Sequence, residues 1–169
     1  MITKLILEPE DMIELVPHWP ELDADKLARI ARRGLNHVKI HNRFTGGHIS
    51  ADVLNVPPIT VCDSNLHPGR GYIINGKNRA TIALLIRAPL VAINVETRND
   101  IEHCLPRECF GDITTQGTLE SFENRLVYER RCQAEGVSTM SDLLIANVGT
   151  ILKVLSADFI NRGRVMRRV

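Results

Sequence analysis

Residues 71–86 change from the pattern of a strand to that of a helix within two positions, and this change constrains the fold more than any other feature. The sequence GYIINGKNRATIALLI places three β-branched or aromatic residues before Asn75-Gly76 and an apolar, alanine-containing run after it. Asn-Gly is a strong turn signal, and the apolar run has the length of a buried helix that Pro89 ends. We therefore predict a strand that turns directly into a helix at Gly76.

Two more strand patterns flank this element. Residues 59–61 follow two prolines, and a turn through Asn65–Gly71 separates them from residues 72–74. Val91–Val95 has the pattern of a further strand after the helix. Together these patterns predict a β-β-α-β unit.

A strand that ends at a glycine and turns into a helix leaves the first helical N–H groups without intrahelical acceptors. The positive end of the helix dipole lies behind them, so such a turn favours a phosphate group. Lys77 and Arg79 add positive charge, and a guanidinium can bind two phosphate oxygens. We predict a ligand site at Asn75, Gly76, Lys77, Asn78 and Arg79. The same residues also fit a plain tight turn in which Arg79 pairs with a nearby acid.

Upstream of this unit the sequence predicts one strand and one well-marked helix. Residues 2–7 have the pattern of a short strand. A helix capped by Asp23 or Asp25 is expected to end at Gly34. Residues 35–56 show no clear period and predict an irregular surface segment.

The last third of the chain is predicted to be helical. Helices are expected to begin at Thr118, at Ser138 or Thr139, and at Thr150. The predicted fold is therefore α+β, a small mixed sheet with flanking helices in residues 1–115 and a helical extension in residues 116–169.

Composition limits what kind of phosphate site this chain can carry. Lys and Arg number 21 against 20 Asp and Glu, so there is no overall basic excess of the kind that drives nonspecific nucleic-acid binding. Any polyanion site is expected to be local. The four cysteines form no C-x-x-C pair, and no apolar run approaches the roughly 20 residues that span a bilayer. We expect a cytoplasmic protein with no membrane partner.

The runs PPITV, GYIINGKNRATIALLI and VAINV together resemble the ParB-like, sulfiredoxin-like superfamily. Its members have a proline-preceded strand, a hairpin, and a turn of the form I-[DN]-G-x-x-R that opens an alanine-rich helix. The resemblance covers residues 57–96 closely and extends loosely back to the helix before Gly34. It implies a fold of that superfamily in which the glycine turn and its arginine hold a nucleotide phosphate, here at Gly76, Lys77, Asn78 and Arg79.

The activity that this resemblance implies differs among the members. ParB-like domains bind a nucleoside triphosphate, sulfiredoxins use ATP to repair an over-oxidised cysteine, and a related kinase phosphorylates serine with ADP. Some members are described as nucleases. The implied ligand is a nucleotide of the ATP, ADP or CTP class, with or without Mg²⁺, and hydrolysis or phosphoryl transfer stays open.

Three departures from the superfamily narrow these options. No cysteine lies near Gly76 as in sulfiredoxin, so reductase chemistry is not expected. Asn75 stands where the kinase has an aspartate, and a neutral amide is a poorer ligand for Mg²⁺. Ala80 stands where partition proteins have a second arginine.

A phosphoryl-transfer site would also need a carboxylate to take a proton or hold a metal ion. The candidate catalytic residues are Glu8 and Glu10, upstream of the glycine turn, and Asp63 at the end of the strand at residues 59–61. The N-terminal acids equally fit the solvated first turn of a helix.

The histidines and cysteines do not form a metal-binding pattern. His37, His41 and His48 fall in or beside an extended segment, where solvated or locally bonded side chains are expected. Cys104 and Cys109 with His103 lack the spacing of a zinc site or a nucleophile motif. We predict no metal site.

Two alternatives to nucleotide binding remain. The first is a DNA-associated partition, regulatory or nuclease-type protein in which the same turn grips a backbone phosphate, aided by basic residues at the C terminus (Arg162, Arg164, Arg167 and Arg168). The second is an interaction module that has kept the fold and lost the ligand.

The C-terminal helices carry apolar stripes that one small domain does not easily bury. One stripe contains Leu119, Phe122, Leu126 and Val127, and apolar side chains cover much of residues 151–160. We predict a homodimer built on these helices. The competing prediction is that both stripes fold back onto the sheet.

Overall fold

A four-stranded mixed sheet forms the centre of the computed structural model, which describes residues 2–41, 46–102 and 115–156. The strands are β1 (Thr3–Leu7), β2 (Leu35–His41), β3 (His48–Leu54), β4 (Ile59–Asp63), β5 (Gly71–Asn75) and β6 (Leu90–Asn94). The helices are α1 (Pro9–Met12), α2 (Ala24–Ala31), α3 (Lys77–Ile86), α4 (Thr115–Glu123), α5 (Arg125–Ala134) and α6 (Met140–Ala146). Residues 98–102 and 148–156 are also helical. The predicted α+β class is confirmed.

The strand order of the main sheet is β1-β6-β4-β5. The two central strands, β4 and β6, are parallel, whereas β5 pairs antiparallel with β4 and β1 pairs antiparallel with β6. Because α3 connects β5 back to β6, the predicted β-β-α-β unit is present in full, and Gly76 lies at the junction of β5 and α3.

The prediction of an irregular segment at residues 35–56 is wrong. β2 and β3 form an antiparallel hairpin that is separate from the main sheet, in which Val38 pairs with Ala51 and Ile40 with Ile49. The hairpin is hard to detect in the sequence because most of its residues are exposed on both faces, so burial imposes little hydrophobic alternation.

The C-terminal helices share a hydrophobic cluster with the sheet. Cys132, Met140, Leu143 and Ile151 are buried in the same cluster as residues of β4 and α3. The single helix predicted from Thr118 to about residue 134 is two helices, since the backbone at Asn124 (φ −103°, ψ 25°) leaves the helical conformation between α4 and α5. Residues predicted as a C-terminal extension therefore complete the core.

These helices also fix the segment that joins α1 to α2. The N–H groups of Met140 and Ser141 donate to the carbonyl oxygens of Leu15 (2.8 Å) and Ile13 (3.1 Å). The Asn147 side chain accepts from the Leu22 N–H (3.2 Å) and donates to the Pro20 carbonyl (3.0 Å). The segment is thus held by groups more than a hundred residues away.

The described part of the chain contains no helix that is both long and apolar enough to cross a membrane. Cys62 and Cys132 are buried free thiols.

Candidate functional site

A cleft of about 520 Å³ lies where α2 faces the turn between β5 and α3. Its described lining includes six basic side chains and no aspartate or glutamate; the six are Lys26, Arg29, Arg32, Arg33, Lys77 and Arg79. Since the net charge of the chain is only +1, this cleft concentrates positive charge locally.

Four of these cations come from α2 and its C-terminal end. Lys26 and Arg29 lie on the helix, Arg32 is its C-cap, and Arg33 follows. Their spacing of three or four residues places them along one side of the helix, while Leu27 on another side is fully buried. The helix is positioned by Asp23, whose carboxylate accepts from the N–H groups of Asp25 (3.0 Å) and Lys26 (3.1 Å).

Gly76 is the N-cap of α3 and has φ +113°, a conformation that side-chain-bearing residues rarely adopt. A Cβ atom at this position would lie 2.8 Å from Cβ of Ile59 and closer still to its Cγ2. The glycine is therefore required for close packing of the turn against β4. Gly76 has no side chain to cap α3, and an α-helix leaves its first N–H groups without intrahelical acceptors; residues 76–79 at this helix start line the cleft.

Arg79 is 5% exposed and hydrogen bonded within the protein. Its Nη1 donates to the carbonyl oxygens of Pro57 (2.8 Å) and Pro58 (2.7 Å), and its Nη2 donates to Oδ1 of Asn75 (3.0 Å). Much of the guanidinium fork thus holds the chain before β4 against the end of β5. From the sequence, Arg79 could also have paired with a nearby acid. None of these three hydrogen bonds is to an acidic side chain.

The two asparagines of the turn have different roles. Asn78 Oδ1 accepts from the Asp23 N–H (3.3 Å), which ties α3 to the start of α2. Asn75 is 2% exposed, and its Nδ2 has no hydrogen-bond partner among the described residues. A buried donor without a partner is costly, so Asn75 offers a hydrogen bond to a group that binds in the cleft.

Two titratable groups in the cleft have shifted pKa values. Desolvation lowers the pKa of Lys77 to about 8, with a further lowering by Lys26 that Asp23 opposes. Desolvation and the charge of Lys77 lower the pKa of His18 to about 4. Shifts of this size in a cleft are typical of functional sites.

The candidate catalytic carboxylates do not lie in this cleft. Glu8 and Glu10 are exposed at the start of α1, where Glu8 takes part in a capping box with Asp11. Asp63 is at the far end of β4, four residues or roughly 13 Å beyond the end that contacts Gly76. The described lining therefore provides no carboxylate to hold Mg²⁺ or to act as a base.

The other predicted clusters also lie elsewhere. His37 contacts the Asp52 carboxylate (2.9 Å), and the rings of His41 and His48 are 5.3 Å apart across the exposed hairpin. No group of metal-binding side chains occurs in the parts of the chain that the structure describes. His103, Cys104, Cys109 and the four C-terminal arginines lie outside the described residues.

Sequence reasoning identified the turn and missed most of the residues opposite it. The cations of α2 left a detectable signal, because basic residues at positions 26, 29 and 33 recur at helical spacing. His18 left none. It lies 55 residues before Ile73 and reaches the cleft only through tertiary structure.

Comparison of the chain with protein-family models, with curated proteins and with solved structures finds no match.

Replacing Gly76 by alanine is expected to destabilise the fold by about 3 kcal/mol or more, because the added methyl group meets Ile59 and the backbone is strained. Gly69 is a matched control, since its φ is +82° but nothing lies within 4 Å of its Cβ position. Gly69→Ala should cost only about 1 kcal/mol. Urea unfolding of both variants measures their free energies of unfolding. Equal losses of stability in the two variants would contradict the close contact between position 76 and Ile59.

Proposed function

We propose that this chain is a ParB-like nucleotide-binding protein that holds the phosphates of its ligand in the cleft between α2 and the turn of Gly76. The observation that carries this proposal is the convergence of six basic side chains on the start of α3, in a cleft whose described lining contains no aspartate or glutamate. A polyanion there would interact with oriented N–H groups, the helix dipole and several guanidinium groups at once.

Within this proposal the basic residues divide into two roles. Lys26, Arg29, Arg33 and Lys77 contact phosphate oxygens. Arg79 is a positioning residue, because three of its hydrogen bonds are made to the protein and keep the turn in shape. This differs from direct phosphate binding by Arg79, which the resemblance implies.

The proposed activity is binding rather than phosphoryl transfer. A transfer site needs a group that takes the proton of the acceptor, and among the described residues of the lining there is no carboxylate for that purpose. The residues present do not fit a Mg²⁺ ion held by the protein, so any Mg²⁺ would enter with the nucleotide phosphates.

Binding of a DNA backbone is the second candidate function. Arg29, Arg32 and Arg33 are exposed at the rim of the cleft, so their charges are accessible to a ligand too large to enter it. Under this alternative the affinity would fall steeply with salt, because counterions are released from the nucleic acid. The third candidate function is that of an interaction module that binds no ligand.

The nucleotide proposal predicts that one of ATP, ADP, CTP or GTP raises the melting temperature. At a concentration one hundred times the dissociation constant, the stabilisation should be about 2.7 kcal/mol. Arg33→Gln should weaken binding by about 3–10-fold, whereas Arg130→Gln, which changes an exposed arginine outside the cleft, should leave it unchanged. The measurement is a thermal-shift panel, with and without Mg²⁺, followed by titration calorimetry.

Two outcomes would redirect the proposal. A flat panel together with salt-sensitive retention on DNA favours the second function. If no nucleotide raises the melting temperature and the protein is not retained on DNA, the third candidate, an interaction module that binds no ligand, is favoured.

The shifted pKa of Lys77 predicts a pH dependence. Lys77 loses its charge as the pH rises through about 8, so its attraction for phosphate is present at pH 7.5 and lost by pH 9.5. Phosphate groups, with a second pKa of about 6, are already ionised throughout this range. A bound phosphate that raises the pKa of Lys77 by one unit corresponds to a tenfold change in affinity. Calorimetry should therefore show affinity falling up to about tenfold over this interval. Lys77→Arg stays charged and should remove the dependence, and a pH-independent wild type would place Lys77 away from the ligand.

We also propose a homodimer through the C-terminal helices. Leu119, Ile151 and Val154 are buried within the chain itself and so take no part in a subunit contact. Of the predicted stripes, Val127 (63% exposed), Leu152 (57%) and Leu155 (42%) remain exposed, and Val148 (48%) extends the exposed apolar face of the last described helix at spacings of four and three residues. A face of this kind is typical of helix pairing.

Leu152→Lys is expected to convert the dimer to a monomer without unfolding it, because the side chain is exposed in the single chain. Lys153→Glu is the control, since this exposed neighbour lies beside the stripe rather than in it. Sedimentation velocity measures both variants. A monomeric wild type would contradict the dimer.

A further inference from the structure

His18 is brought to the cleft by a short strand-like pairing at the edge of the main sheet. The Val16 N–H donates to the Gly71 carbonyl (2.8 Å), and the Ile73 N–H donates to the Val16 carbonyl (2.9 Å). Val16 and Tyr72 are therefore paired in parallel beside β5. Two residues further on, Nδ1 of His18 lies 3.1 Å from the Ile73 carbonyl oxygen, and the ring forms part of the cleft wall.

This hydrogen bond determines which ring nitrogen carries the proton. A carbonyl oxygen can only accept, so Nδ1 donates and Nε2 of the neutral ring holds a lone pair. The ring stays neutral at physiological pH, because desolvation and the charges of Lys77 and Lys26 favour the uncharged form. His18 thus adds a neutral hydrogen-bond acceptor to a cleft whose lining includes six basic side chains.

Nε2 of His18 cannot form a hydrogen bond with an ionised phosphate oxygen, because both atoms are acceptors above pH 7. It needs an O–H or N–H donor. Asn75 adds the complementary group on the same strand as Ile73, because its buried Nδ2 is a donor without a partner among the described residues. Both residues line the cleft, and a hydroxyl group, which donates and accepts, matches the acceptor of His18 and the donor of Asn75.

We propose that His18 is a specificity-determining residue, whose Nε2 accepts a hydrogen bond from a sugar hydroxyl of the phosphorylated ligand. The inference rests on the proposed phosphate binding and narrows its ligand class to free nucleotides whose sugar carries a hydroxyl group. The sugar is the part of a nucleotide nearest the phosphates that carries a donor. Internal DNA nucleotides lack the 2′-hydroxyl and have the 3′-oxygen esterified, so they offer no such group.

The test compares ATP and CTP with their 2′,3′-dideoxy forms, which have the same charge and base but no sugar hydroxyl. The wild type should bind the ribonucleotide form of its preferred base about tenfold more tightly than the dideoxy form, as expected for one or two hydrogen bonds. His18→Asn should bind both forms equally and as weakly as the wild type binds the dideoxy form. The asparagine amide can occupy the place of Nδ1 and keep the bond to Ile73, while the acceptor in the cleft is lost.

A second variant controls for damage to the fold. In His18→Gln the side-chain oxygen reaches the place of Nε2, so the preference for the ribonucleotide should be partly retained. If His18→Asn does not fold, the wild type is compared with His18→Gln and His18→Phe instead. The preference for the ribonucleotide over the dideoxynucleotide should then be lost only in His18→Phe.

The outcomes separate this inference from the proposed function. Equal affinity of the wild type for ribonucleotide and dideoxynucleotide overturns the role of His18 and leaves phosphate binding standing. A preference that survives His18→Asn also overturns it, because another residue then contacts the hydroxyl. If the wild type binds neither the ribonucleotide, nor the dideoxynucleotide, nor inorganic tripolyphosphate, both proposals are overturned.

Discussion

The hydrogen bonds of the Arg79 guanidinium join the three chain segments on which the rest of the cleft depends. They connect the start of α3 to the two prolines before β4 and to Asn75 at the end of β5. A buried guanidinium is costly to desolvate, so these positions are fixed by the need to satisfy it. Only with the turn held in this place can Gly76 approach Ile59 as closely as it does. The arginine therefore shapes the site in which it stands.

Most of the positive charge in the cleft comes from outside the β-β-α-β unit. α2 and the two residues that follow it contribute four of the six cations, and Asn78 connects the start of α2 to α3 through the Asp23 N–H. A turn of this kind is a general scaffold, and fold alone does not decide what it binds. The residues that would distinguish one phosphate compound from another lie on α2 and at His18, which face the turn.

The parts of the fold that the sequence predicted are those fixed by local interactions. The turn at Gly76, the cap at Asp23 and the strands beside them follow from propensity and turn chemistry within a few residues. The hairpin of β2 and β3 was missed because its exposed faces impose little hydrophobic pattern. His18 could not be predicted as a site residue, since its position depends on pairing with β5 and on contacts from α6, which no local pattern encodes.

The bonds of Asn147 to Pro20 and Leu22 have a consequence for how the protein is made. During translation the glycine turn leaves the ribosome long before residue 147 does, so the nascent chain first exposes the cleft with one wall unsupported. Closing a loop of this length is slow compared with local folding, and it requires that residue 147 has been synthesised. Ligand binding should thus be acquired late in synthesis, and a nascent chain stalled before Asn147 would display the phosphate turn without a fully held His18.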